Sequence, residues 1–164
     1  MKPTPEEERL MNNFLPGKIS KDGFLGSDSR HIHDIIEEDM RILEALDVDR
    51  TYLADRLHFF IRRGREGLEM PVEEEGYRIE VHWQRGMLPC PFGEPGLHPK
   101  LMAFVTHSAS GKTIRYSQLS VHLIRRHGFF GGKGSFFRLQ PRELVHFFCD
   151  RAGLACAKDP ETAD

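Results

Sequence analysis

The chain has 164 residues, 39% hydrophobic and 29% charged, with a formal net charge of −2. That is a globular balance on a chain long enough to bury a core, and no run of about 18 apolar residues would span a membrane. Acids in "MKPTPEEERL" stand where a secretory signal is apolar, and Cys90, Cys149 and Cys156 lack disulfide-framework spacing, so a reducing, cytoplasmic setting is expected.

Thr4-Pro5-Glu6-Glu7 predicts a helix start, with a capping hydroxyl, proline at the first position and acids at the positive end. That helix ends by Pro16-Gly17, and residues 17–29 read as a turn-rich connector. Ile32, Ile35, Ile36, Met40, Leu43 and Leu46 follow helical spacing, with Asp28 or Ser29 available as cap. His31 and His33, two apart, cannot share a helix face and read as solvent-facing or capping. After "DVD" a second helix is predicted over 51–63, its apolar face carrying Leu53, Leu57, Phe60 and Ile61. The short link makes these two helices a packed pair. A helix-turn-helix reading of the pair suffers from the acidity of its first member.

From Gly76 the period changes. "YRIEVHWQ" alternates as a half-buried strand over 77–84. Residues 85–100 hold four prolines and three glycines and predict a long irregular loop. Strands are expected again at 101–107 and 112–117. Between them Ser110-Gly111-Lys112-Thr113 matches the end of a phosphate-binding loop, but the first glycine is replaced by Thr106 and β-branched Thr113-Ile114 continues as strand. The stretch reads as a turn. Ser117 caps a helix over "QLSVHLIRRH" that Gly128 stops, "FFGGKGSFFRL" leads into a strand near 135–139, and Pro141 opens a last helix.

Charge is unevenly spread. Residues 1–75 carry 18 acids and 11 bases, whereas residues 95–142 carry eight bases and no acid. Either the basic half attracts an anionic partner, or it pairs with the acidic front half. "RRHGFFGGKGSFFR" adds glycines and aromatic rings to the cations, a combination suited to phosphate and base contacts, while Gly131-Gly132-Lys133-Gly134 has the shape of a backbone-clamping G-x-x-G. The candidate anion-binding residues are Lys112, Arg115, Arg125, Arg126, Lys133 and Arg138.

Cysteine and histidine concentrate in the same half. Cys90, His98, His122 and His127 make a candidate tetrahedral zinc set. His122 and His127 lie about 140° apart on an ideal helix, so they can meet one ion only if the helix unwinds near His127. Cys90 is also a candidate thiol nucleophile.

The expected fold is α+β: an N-terminal helical pair on a small, mainly antiparallel sheet, with two later helices. Residues 1–29 form a helix and connector, 30–153 a single domain, and 154–164 a frayed tail. The leading expectation is a non-enzymatic module binding nucleic acid or a phosphorylated ligand, without a cofactor. The alternatives are a zinc-binding protein or metal or thiol enzyme built on Cys90, and a protein-protein interaction domain that self-associates.

Overall fold

The computed structural model describes residue 2 and residues 4–148; the expected tail at 154–164, Cys149 and Cys156 lie outside them. Helix α1 (Pro5–Asn13) starts as its sequence requires: the Thr4 hydroxyl accepts from the Glu7 amide at 3.1 Å, and the Glu7 carboxylate accepts from the Thr4 amide at 2.7 Å. It ends at Phe14, a fully buried ring that meets Phe24, Phe92 and Phe129 edge-on. The connector is thereby fastened to a second core cluster that also holds Leu25, Ile32, Ile35, Cys90, Leu119 and Leu123.

Helix α2 (Ile32–Leu46) is capped by His31, whose Nδ1 accepts from the His33 amide at 3.1 Å. Asp28, one of the two expected caps, instead grips Arg30 at 2.7 and 2.9 Å and accepts from the Lys133 amide. Hydrogen bonds from Arg30, stronger than its desolvation, hold the Asp28 carboxyl far below the usual carboxylate range. Helix α3 (Arg50–Glu66) follows at once, capped by Asp49.

Strands β1 (Val72–Glu74), β2 (Tyr77–Pro89), β3 (Leu97–His107) and β4 (Thr113–Ser117) form one antiparallel sheet in sequence order. Helices α3 and α4 (Gln118–His127) cover one face and touch each other, and α5 (Pro141–Phe148) packs beside α2. Ile79, Val81, Leu101, Ala103, Val105 and Tyr116 point into the core, where Leu57, Phe60, Ile61 and Ile124 meet them. At Gly64 a side chain would sit 2.6 Å from Val81, so glycine lets α3 lie directly on β2. The buried Tyr116 hydroxyl donates to the Leu57 carbonyl at 2.7 Å.

The α+β fold is therefore the expected one, with two departures. Residues 85–100 are not one long irregular loop: 85–89 and 97–100 are strand around a turn at 90–96, and Leu88 opposes His98 and Pro89 opposes Leu97, beyond a break in register between Trp83 and Met87. Proline is tolerated because β4 stops at Met102 and leaves β3 an open edge there. The expected strand at 135–139 does not form. Its amides bond instead within the same loop, Arg138 on the Ser135 carbonyl at 3.2 Å and Leu139 on the Phe130 carbonyl at 2.9 Å, while Gly132 just before it bonds to the Phe24 carbonyl of the connector. Among the described residues no helix is long and apolar enough to cross a membrane.

Arg138 ties these layers together. Its guanidinium reaches both oxygens of the buried Asp39 carboxylate, at 2.6 and 3.1 Å, and the Gly131 carbonyl at 2.7 Å. Removing one partner of such a pair strands the other charge in the interior. Arg138→Ala is expected to lower the free energy of urea unfolding by about 3–5 kcal/mol, and Asp39→Asn combined with it to recover part of that loss.

Candidate metal centre

The hairpin of β2 and β3 overhangs the sheet and brings its tip to the end of α4. Pro89 ends β2, and the next residues turn, with the Gly93 amide donating to the Cys90 carbonyl at 3.0 Å. Gly93 has φ +90°, a conformation that suits glycine, and this turn places Glu94 beside Cys90. On the facing helix, His127 is the last helical residue and Gly128, at φ +68°, turns the chain away. The Arg50 guanidinium donates to the carbonyl of Arg125 at 3.2 Å, satisfying one acceptor of that last turn.

Four side chains from these two elements converge. The Cys90 sulfur, one Glu94 oxygen and one nitrogen each of His122 and His127 all lie within 4.8 Å of one another. Glu94 Oε1 is 2.9 Å from His127 Nε2 and 3.0 Å from His122 Nε2. Cys90 Sγ is 3.5 Å from the same His127 Nε2. A tetrahedral zinc with bonds of about 2.0 Å to nitrogen and 2.3 Å to sulfur separates those two ligands by about 3.5 Å. Roughly an ångström of closure brings the widest pair to such an edge.

The surroundings complete the arrangement. Glu94 Oε2 accepts from Arg126 at 2.9 and 3.2 Å, which leaves Oε1 facing the two histidines. The Phe92 amide donates to the Cys90 sulfur at 3.4 Å, and the Phe92 ring stacks on His127 at 4.0 Å. Cys90 is only 3% exposed. His122 Nε2 lies near Glu94 but out of line with it, a buried nitrogen with no hydrogen-bond partner. A nitrogen in that state matches a ligand atom with its lone pair turned inward.

Protonation states agree with that role. The Arg126 hydrogen bond, against a smaller cost of desolvation, holds the Glu94 carboxyl below its ordinary range. Burial pushes His122 and His127 down, and the attraction of Glu94 only partly restores them. Near neutral pH the cluster therefore offers an ionised carboxylate and two neutral imidazoles.

Three of the four residues in the expected zinc set thus come together: Cys90, His122 and His127. His98 does not join them; its ring lies 4.4 Å from that of His122, with its buried Nε2 unpartnered. Glu94 takes the fourth place. Its signal in the sequence is its position, the last carboxylate before the acid-free stretch and four residues after Cys90. The two histidines converge although His127 is still helical, so the unwinding that their separation of about 140° called for does not occur.

The basic residues meet several different partners. Arg125 pairs with Asp55 at 2.5 Å, Arg126 with Glu94, and Arg138 with Asp39. Arg115 lies 4.0 Å over the Phe136 ring and donates to the Phe136 carbonyl. Lys112 and Lys133 are exposed. No family of known proteins, no curated protein and no solved structure matches the chain.

The depressed histidines have a consequence for the metal-free protein. The unfolded chain takes up protons near pH 6.5 while folded His122 and His127 remain neutral to lower pH. Their contribution to stability is present above pH 6.5 and is lost as pH falls through the window below it. Chelator-treated protein is expected to unfold at lower urea at pH 5.5 than at pH 7.5, with a smaller difference in the His122→Gln, His127→Gln double variant.

Proposed function

We propose that this protein is a zinc-binding domain, with Cys90, Glu94, His122 and His127 holding one ion that fastens the β2–β3 hairpin tip to α4. The supporting observation is that His127 meets Cys90 and Glu94 through the same nitrogen. In a thiol catalytic triad the histidine uses one ring nitrogen for the nucleophile and the other for the carboxylate that orients it. Here one Nε2 carries at most one proton for two acceptors. A cation at the common point resolves that conflict for all four groups at once.

The donor set favours zinc over harder or redox-active ions: a thiolate and two imidazoles are characteristic of it, and a carboxylate is accepted as fourth ligand. Four protein ligands leave no open coordination position, so the role is structural rather than hydrolytic. Arg126 then acts on the metal through Glu94, fixing which oxygen faces the ion.

The expectation of a nucleic-acid or phosphorylated partner draws less support. Arg125 and Arg138 are neutralised by Asp55 and Asp39 of the acidic half, and Arg126 by Glu94. That reading rests on the remaining exposed cations.

Metal analysis of the purified protein should find one zinc per chain. Cobalt(II) put in its place should show the sulfur-to-metal absorption and visible bands of a tetrahedral thiolate site. Cys90→Ser should remove the sulfur band. His122→Gln and His127→Gln should each abolish stoichiometric binding. Arg126→Ala should weaken binding about 10-fold or more while keeping the spectrum. A chain that unfolds at the same temperature with zinc or with chelator would defeat the structural role.

A further inference from the structure

Away from the metal ligands, a cavity of about 450 Å³ opens at the free edge of β3. It is walled by the connector at Ile19–Phe24, by the first turns of α4 and by the aromatic loop Phe129–Leu139. The volume falls within the range of small-molecule sites, and the walls are mainly apolar, with Phe24, Leu119, Leu123, Phe129 and Phe137 among them. None of Cys90, Glu94, His122 or His127 lines it, so a ligand here is independent of the zinc reading.

Three of the hydroxyls in the wall are committed. Ser117 and Ser120 cap α4 with each other, and the Ser20 hydroxyl accepts from the Gly23 amide. Lys100 differs. It is half-buried, and among the described residues no carboxylate lies within ion-pairing distance and no hydrogen bond engages it. Its stem runs past Gly86, at φ +109°, where the added Cβ of any other residue would sit 3.6 Å from the lysine Cε. The break in register of β2 falls beside this stem. Exposed Lys21 adds a second cation and exposed Asp22 one carboxylate to the same wall.

We propose that this cavity binds a small amphipathic carboxylate: an apolar body enclosed by the aromatic walls and a single carboxylate head at Lys100. Burying the body supplies affinity in proportion to the apolar area covered. The ammonium supplies selectivity, because a half-buried cation without a partner favours an anionic head over a neutral or cationic one. A carboxylate fits better than a phosphate. Among the described residues the wall offers no arginine fork, and Asp22 disfavours a doubly charged head.

The test is calorimetric titration of the full chain with decanoate, decyl phosphate, 1-decanol and decylammonium, run on both zinc-loaded and chelator-treated protein. Decanoate is expected to bind once per chain, at least about tenfold more tightly than the other three. Lys100→Met should bring decanoate down to the affinity of 1-decanol and leave 1-decanol unchanged. Ile19→Trp, on the half-buried connector, should block decanoate and 1-decanol alike. The proposal is overturned if intact protein binds no decanoate, if 1-decanol binds as well as decanoate, or if Lys100→Met binds decanoate as the parent does. Decyl phosphate binding more tightly than decanoate would overturn the choice of head group. Parent protein that takes up no zinc yet binds decanoate would sink the metal reading and leave this one standing.

Discussion

Glu94 reaches from the tip of the β2–β3 hairpin to α4, where one of its oxygens meets Arg126 and the other meets His122 and His127. The far ends of two elements are joined there. The hairpin tip extends beyond β4, so no further strand supports it on that side. A long two-stranded ribbon is marginal by itself in water. Its position over α4 therefore depends on what the tip holds: a carboxylate, a buried thiol and the Phe92 ring against His127.

That docking also shapes the rest of the second core cluster. Cys90 is buried among Phe14, Leu25, Leu119 and Phe129, which come from the end of α1, the connector, α4 and the aromatic loop. Displacing the tip would expose a seam shared by all of them. The same helix that carries His122 and His127 on one side presents Leu119 and Leu123 to the neighbouring cavity.

Three of the eight cations in the acid-free stretch, Arg125, Arg126 and Arg138, meet carboxylates of the same chain. Asp39 and Asp55, from the acidic half, meet Arg138 and Arg125, from the basic half. The first pair is buried and depends on bidentate geometry; the second is exposed and contributes little to stability. Lys100 lies in the same acid-free stretch but sits where, among the described residues, no front-half carboxylate reaches it. Uneven charge along a sequence becomes a site only at positions the fold leaves unpaired.

Local chemistry made much of the fold readable in advance. The Thr4 and Ser117 caps, the Gly128 stop, the apolar faces of α2 and α3, and the alternation over 77–84 each act within a few residues of chain. The paired arms at 85–100 escaped that reading because proline and glycine signal irregularity locally, while strand pairing is decided by a partner elsewhere in the chain. The expected strand at 135–139 failed because its amides close turns within the aromatic loop, Ser135 on the Gly132 carbonyl and Arg138 on the Ser135 carbonyl, and meet no strand. Cys90, His122 and His127 were legible as donors by residue type, although the histidines meet without the helix unwinding that their spacing called for. That Glu94 and not His98 completes the group was decided only by tertiary structure, because ligation depends on where side-chain atoms point, and that depends on which elements pack together.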